Sequence, residues 1–352
     1  MVVCVTSVPC KKLYFLFLFQ VFITSSLMFW IQWMWYNKQD DLCRIPEKNV
    51  PWETRKVMIL LWTLPFRESF NLNQCAALFG ITGCVYTSDR TFYKHADAVI
   101  FHHSDLMGTP HDLPRQPRPV NQRWIWFNLE PPSKIFNLHT VDKLINLSMT
   151  YRHDSDIFTP YGWTLLTERP QNFSIPTKSR LVAWATSNWD PNIRRVHYYE
   201  ELKKHLHVDV FGPGNLRLGR DEQTLVLSKY KFYLAFENSA NQDYITEKLW
   251  NNALLSRTVP VVLGPTRESY ERFLPAEAFI HVDDFPSAKE LAEYLLALDK
   301  DDERYQKYFT WRSHYEVVGR MSWPTHYCKA CYYLRKTPTY RTIPSVVKWF
   351  TS

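Results

Sequence analysis

Residues 231–264 read KFYLAFENSANQDYITEKLWNNALLSRTVPVVLG. The segment opens on a near-continuous apolar run, 232–236, of the length a buried strand needs. Glu237, Asn238 and Ser239 then arrive together, where that strand would end. Asp243 offers a helix N-cap, and Ile245, Leu249, Ala253 and Leu254 fall on one face of a helix behind it. A second apolar run, 259–263, stops at Gly264-Pro265. Strand, helix, strand predicts a βαβ unit with a right-handed crossover.

Such a unit holds ligands beyond the C-terminal end of its strand, at the start of the helix. Lys248 adds positive charge there for an anion. Glu237 and Glu247 suit hydroxyls rather than phosphate, so lysine and carboxylates together point to a sugar phosphate. The plainer reading has Glu247 complementing the helix dipole and Lys248 in solvent. Spacing alone does not separate the two.

Upstream, 181–186 is a strand, Ser187-Asn188-Trp189 turns the chain, and Asp190-Pro191 reads as a cap with proline at the first helical position. Ile193, Val196, Tyr199 and Leu202 form an apolar stripe reaching Leu206, and 208–211 is the next strand. This is a second βαβ unit, with Arg195 on its helix as a solvated cation or an anion clamp. Gly212, Gly214 and Gly219 have the wrong spacing for a dinucleotide fingerprint. Downstream follow a helix at 268–274, a strand at 279–282, an amphipathic helix at 288–298, a polar helix at 300–315, and helical turns at 346–350. In the N-terminal half, 57–62, 97–102 and 124–129 are strands and 110–119 is a proline-rich loop. Residues 167–180, polar with Pro170 and Pro176, read as an inter-domain linker. Strands separated by crossovers predict an α/β fold.

Three N-terminal features invite functional reading. His102-His103-Ser104-Asp105 follows a strand, where adjacent side chains point apart and disfavour a shared metal. WIWFNLEPP, 124–132, ends a strand in Glu130 before two prolines, which sets a carboxylate at the lip of a sheet; the plain alternative is a solvated loop glutamate. Asp154-Ser155-Asp156 has the form of a metal-binding DxD triplet, a pattern short enough to arise by chance.

The 352 residues, 45% hydrophobic, accommodate one large or two medium domains. The net charge of +7 is spread along the chain; it suits an anionic substrate but is too diffuse to argue for nucleic acid, and none is expected as a partner. Residues 13–36 carry no formal charge over 24 residues, enough to span a bilayer. Lys11 and Lys12 precede them and Asp40 and Asp41 follow, which keeps the N-terminus cytoplasmic and places the rest across the membrane. No small-x-small cleavage site ends the run, which favours a signal anchor over a cleaved signal peptide. Asn146-Leu147-Ser148 and Asn172-Phe173-Ser174 are glycosylation sequons. Of seven cysteines, Cys4 and Cys10 fall on the cytoplasmic side and Cys43 in a short stem. Cys75 and Cys84 are spaced too widely for a zinc knuckle with Cys328 and Cys331. In an oxidising lumen these four read as two disulfides tying the C-terminal segment to the N-terminal region.

FYLAFENS, DYITEKLW and VPVVLGP resemble the donor-binding signature of the α-1,3-fucosyltransferases, especially the Lewis-type enzymes of glycosyltransferase family 10. NLEPP, YRHDSDIFTPYGW and LVAWATSNW with Arg195 extend the resemblance, which runs from about residue 57 to the C-terminus. It implies a GT-B arrangement of two Rossmann-like domains behind an N-terminal transmembrane helix. The segments are a cytoplasmic tail (1–12), an anchor (13–36), a stem (37–56), an acceptor-side domain (57–166), a linker (167–180), a donor-binding domain (181–335) and a tail (336–352). It further implies GDP-β-L-fucose as donor, N-acetyllactosamine-type glycans of glycoproteins and glycolipids as acceptors, and inverting transfer to O3 of GlcNAc. Transfer to O4 of type 1 chains, a metal-dependent transferase using Asp154 and Asp156, and a non-catalytic glycan-binding protein are the alternatives.

By resemblance Glu130 is the catalytic base. Tyr161, Ser187, Asn188, Arg195, Tyr233, Asn238, Tyr244, Thr246, Glu247 and Lys248 form the donor site, with Arg195 on the diphosphate. His103 and Ser104 face the acceptor. Relatives carry Trp or Arg at the Ser104 position according to linkage, so serine leaves that choice open. The implied disulfides are Cys75–Cys328 and Cys84–Cys331. No metal is essential, manganese being at most a stimulant, and Asp154-Ser155-Asp156 is structural. The expected setting is the Golgi membrane, type II, with a lumenal catalytic domain and room for a homodimer.

Overall fold

The computed structural model describes residues 56–352, apart from 73, 110, 111 and 220. The expected anchor and nearly all of the stem lie outside the described residues. Among the described residues no helix is long and apolar enough to cross a membrane.

Six strands build the first sheet: β1 (Val57–Leu61), β2 (Cys84–Thr87), β3 (Ala98–His102), β4 (Arg123–Asn128), β5 (Leu147–Thr150) and β6 (Ile157–Phe158). They are parallel and ordered β2-β1-β3-β4-β5-β6. Every residue of β3, β4 and β5 is buried, as expected of a parallel sheet covered on both faces. One face carries Ile59, Ile100, Ile125 and Phe127 against Tyr327, Cys328 and Leu334 of the helix Trp323–Lys336. The other packs Phe101, Trp124 and Trp126 against Val346 and Phe350 of the last helix. The chain therefore returns to its first sheet after building its second. The helix Trp323–Lys336, most of which falls in the expected 181–335 segment, buries its apolar face under the first sheet.

β7 (Trp163–Leu166) leaves the first sheet. The second contains β8 (Arg180–Ala185), β9 (Asp209–Phe211), β10 (Tyr230–Phe236), β11 (Val259–Leu263) and β12 (Ile280–His281), parallel and ordered β12-β11-β10-β8-β9. Numbered within its own sheet this order is 2-1-3-4-5 read from the other edge, the same order the first sheet begins with. Each sheet therefore has a switch point beside its first strand, where α/β folds bind ligands. β13 (Tyr315–Val318) pairs antiparallel with β7 and ties the two halves together; the expected polar helix over 300–315 ends at Lys307, with a short turn at Thr310–Ser313.

Both expected βαβ units are present, with shifted helix starts. Asp190 accepts from Asn192 N in a local turn, and the helix begins only at Arg194. Asp243 caps nothing. It sits at φ +57°, buried, and binds His153 and Arg272 through its carboxylate. The helix behind it is a wide π coil, Lys248–Leu254, a form common at functional sites. Its predicted apolar residues Leu249, Ala253 and Leu254 are buried, as is Ile245 before it.

The disulfides are Cys75–Cys328 and Cys84–Cys331, with Cα separations of 5.4 and 6.0 Å. Asn172 is exposed, but Asn146 is fully buried. Its Nδ2, the atom a glycan would occupy, donates to Arg341 O, while its Oδ1 accepts from Trp124 N. A glycan at Asn146 conflicts with this packing.

Each bridge alone closes nearly the same long loop, since the cysteines lie 253 and 247 residues apart. With one bridge intact, the other closes a ring of only about 14 residues, worth about 3 kcal/mol. C75S/C328S and C84S/C331S are each expected to lose about 3 kcal/mol in denaturant unfolding. The quadruple variant should lose more than the sum; strictly additive losses would contradict this account.

Candidate functional site

The two switch points face one open cleft of about 1360 Å³. Glu130 enters it from beyond β4, His102 from the last position of β3, and Thr186–Asn188 from beyond β8. Asn238 follows β10, and Glu247 and Lys248 stand at the start of the π coil.

Asn128, fully buried at the end of β4, holds Glu130 by its backbone: Nδ2 donates to Glu130 O at 2.6 Å. Pro131 and Pro132 then end the strand's pairing. Among the described residues the Glu130 carboxylate has no hydrogen-bond donor or salt-bridge partner. Burial raises its pKa above the usual carboxylate value; Lys248 opposes the rise and Glu247 adds to it. A free, half-buried carboxylate with a raised pKa suits proton abstraction.

Across the cleft, Arg195 is only 3% exposed. Its Nη2 donates to Asn188 O at 2.6 Å and its Nη1 to Phe236 O at 3.4 Å, while Nε has no partner among the described residues. No carboxylate lies within salt-bridge distance of it among the described residues. A buried guanidinium bound only to carbonyls is costly without an anion, and its planar fork suits a diphosphate.

Lys248 is arranged differently. Its Nζ lies 3.1 Å from both Glu237 Oε2 and Glu247 Oε1, and donates to Thr246 Oγ1 at 2.8 Å. Burial alone would lower the lysine pKa, but the two carboxylates outweigh it and raise it. Burial pushes Glu247 up, but Lys248 together with hydrogen bonds from its own backbone and Thr246 holds that carboxyl below its usual value. Glu237 is fully enclosed and also accepts from Thr246 N at 2.7 Å. It orders the site from beneath and is out of reach of a sugar hydroxyl, contrary to the expectation from its position.

Ser187, Asn188, Asn238 and Tyr244 line the cleft as expected. So does Tyr161, whose hydroxyl donates to Leu129 O at 2.7 Å. Among the described residues, Oδ1 of Asn238 and Oγ of Ser104 are buried without partners. Three predictions need correction. Tyr233 is fully buried and its hydroxyl is engaged by Asn252 Nδ2, so it supports the cleft wall from behind. Thr246 is buried and spends both its N–H and Oγ1 on Glu237. His103 is buried beside Trp126, with Nε2 2.9 Å from Phe136 O, and burial pushes its pKa down to about 4. β3 ends at His102, so the chain turns there and His102 faces the cleft instead.

Sequence reasoning missed an aromatic wall. Phe66, His102 and Trp323 stand together, with ring centroids 5.4 Å (Phe66–His102) and 5.9 Å (Phe66–Trp323) apart. Phe66 has φ +53°, strained for an aromatic residue, and its N–H donates to Asp105, which also binds His102 Nδ1. The segment 212–219, set aside for its glycine spacing, also lines the cleft. The only signal for these groups was aromatic and glycine content, since Phe66 and Trp323 are remote in sequence.

Asp154 and Asp156 are committed elsewhere. Asp154 takes a two-pronged contact from Arg152 and a bond from Trp349 Nε1. Asp156 accepts from Ser148 N and Oγ and pairs with Arg341. These bonds fasten β5 and the C-terminal segment, and neither residue lines the cleft.

The family descriptions "Fucosyltransferase, N-terminal" and "Glycosyltransferase family 10 (fucosyltransferase) C-term" match residues 54–162 and 175–349. The chain belongs to this family of fucosyltransferases. It is 51% identical over 302 residues to the Homo sapiens 3-galactosyl-N-acetylglucosaminide 4-alpha-L-fucosyltransferase, covering 84% of this chain and 83% of that protein. It is also 51% identical over 318 residues to the Homo sapiens 4-galactosyl-N-acetylglucosaminide 3-alpha-L-fucosyltransferase, covering 88% and 86%. A solved alpha1,3-fucosyltransferase with GDP-fucose shares the fold at TM-score 0.53 and 17% identity, over 82% of this chain and 93% of that one. This fucosyltransferase is an enzyme, which sets aside the glycan-binding alternative.

Arg195→Met removes the buried charge and keeps a side chain of similar length. Without ligand it is expected to melt no earlier than the wild type, because the desolvation cost disappears. An earlier melt by several degrees would assign the guanidinium a structural role instead.

Proposed function

We propose that this fucosyltransferase moves L-fucose from GDP-β-L-fucose to O3 of GlcNAc in N-acetyllactosamine-type glycans of glycoproteins and glycolipids. The observation that carries this reading is the pairing across one cleft of a partnerless carboxylate, Glu130, and a buried cation without a carboxylate, Arg195. A single displacement needs both. The acceptor oxygen attacks C1 of fucose, the bond from C1 to the phosphate oxygen breaks, and the acceptor proton passes to Glu130. The configuration inverts from β to α. GDP departs with its electron pair, its charge met by Arg195 and Lys248. Glu247, half-exposed beside Lys248, accepts hydrogen bonds from fucose or ribose hydroxyls. The wall of Phe66, His102 and Trp323 offers apolar faces for an acceptor sugar.

The donor assignment draws on the solved relative with GDP-fucose. The mechanism carries no resident metal, and manganese enters only as a stimulant. The α1,4 linkage is the second reading, because the relatives named for 4-alpha and 3-alpha transfer are equally similar. Ser104, with its unpartnered hydroxyl, is the cleft residue on which that choice turns. The proposed setting is the Golgi lumen, behind the anchor at 13–36 and the stem at 37–56, with a homodimer allowed. In the proposed division 57–166 serves the acceptor and the second sheet serves the donor.

Acceptor-dependent GDP release by the lumenal part of the chain tests the reading, with the product linkage read by NMR. Fucose on O3 of type 2 chains is the expected product; fucose on O4 of type 1 chains alone would establish the second reading, and no transfer to either would overturn both. Glu130→Gln is expected to lower kcat by about 10²–10⁴. The base must be ionised, so kcat/KM should fall as pH drops through the Glu130 pKa, at a pH above the usual carboxylate value of about 4.3. Near-normal turnover of E130Q would remove Glu130 from the reaction.

A further inference from the structure

We infer that Arg217, on the loop after β9, is a further cation of the donor diphosphate site. The inference rests on the fucosyltransferase reading and adds a residue to it. It begins with charge balance in the cleft. Glu130 and Glu247 line the cleft and Glu237 lies directly behind it, against the two cations Arg195 and Lys248, a formal balance of −1 for the lining and its support together. Lys248 is already shared between two carboxylates. A diphosphate therefore approaches a region whose inner groups are net negative. Arg195 alone is a small counterweight to two phosphates. Further positive charge is required from the rim.

Among the described residues lining the cleft, Arg217 and Arg320 are the remaining arginines. Arg320 is tethered: its N–H donates to Asn251 Oδ1 and its Nη2 to Thr224 Oγ1. It also stands near Trp323 in the chain, on the aromatic side. Arg217 is exposed, and among the described residues no hydrogen bond or salt bridge engages its guanidinium.

The loop itself is anchored on the donor side. Gly212 lies at φ +136°, and a Cβ there would fall 1.9 Å from Thr186 O. Only glycine permits that approach. Thr186 N donates to Phe211 O, and Thr186 Oγ1 and Arg195 Nη2 both donate to Asn188 O. The turn that holds Arg195 and the strand end that launches Arg217 are thus bonded to each other. Leu216 closes the loop base, its N–H donating to Val210 O and its carbonyl accepting from Gly212 N. The next residue is Arg217, beside the turn, with its side chain free to meet a phosphate.

The test is calorimetric binding of GDP and of guanosine to the wild type, R217A, R217K and K289A. Lys289 is an exposed cation on the outer helix Ala288–Asp299 and controls for net charge. R217A is expected to bind GDP about tenfold more weakly, as loss of one charge-assisted contact implies. The deficit should shrink in high salt. Guanosine affinity should not change, R217K should recover part of the loss, and K289A should match the wild type. Wild-type GDP affinity in R217A would overturn the inference. So would an equal loss in K289A, or a loss confined to turnover of acidic acceptors. Failure of the wild type itself to bind GDP would instead overturn the donor reading.

Discussion

The site depends on one buried carboxylate. Glu237 follows directly from the end of β10, fully enclosed, and receives Thr246 N, Thr246 Oγ1 and Lys248 Nζ. Those bonds tie the strand end to the start of the π coil and so fix where Lys248 and Glu247 stand. A buried carboxylate is tolerable only with such complete satisfaction. Removing it would leave Lys248 underpaired and the polypeptide from 238 to 247 without its inner anchor. The acid is thus a support for the chemistry rather than a reagent in it.

Sheet order supplies the second constraint. Both sheets place their switch point at the C-terminal end of the first strand, and the cleft is where those ends meet. The first sheet contributes a carboxylate and aromatic faces; the second contributes cations and backbone turns. The helix Trp323–Lys336 returns to the first sheet, carries Trp323 to the cleft and is held by both disulfides. Its burial explains why residues so distant in sequence share one wall.

Local pattern was enough for β10, β11 and both crossover units, because continuous apolar runs of strand length bounded by polar turns have few other readings. Helix starts were less legible. Asp190 and Asp243 are good caps by residue type, but one is spent on a tight turn and the other on His153 and Arg272. Tyr233 came from the resemblance alone; a strand interior buried on both faces gives no pattern that would show its hydroxyl turned away from the cleft onto Asn252. The strand end at His102 was legible, but His103 was named by resemblance, and which of the two meets the cleft is set by the turn after β3, which periodicity does not describe. Asn146 shows the same limit, since its sequon says nothing of the C-terminal segment that covers it. Phe66 and Trp323 come together only through tertiary packing.

The central claim is a division of labour across the cleft, with Arg195 holding the diphosphate and Glu130 taking the proton. Calorimetric GDP binding to R195M and E130Q, set against their turnover, tests it most directly. The account predicts that R195M loses GDP affinity by about tenfold or more. It predicts that E130Q binds GDP at least as tightly as the wild type, having shed a negative charge, while turning over poorly. Retained GDP affinity in R195M, or lost GDP affinity in E130Q, would contradict it.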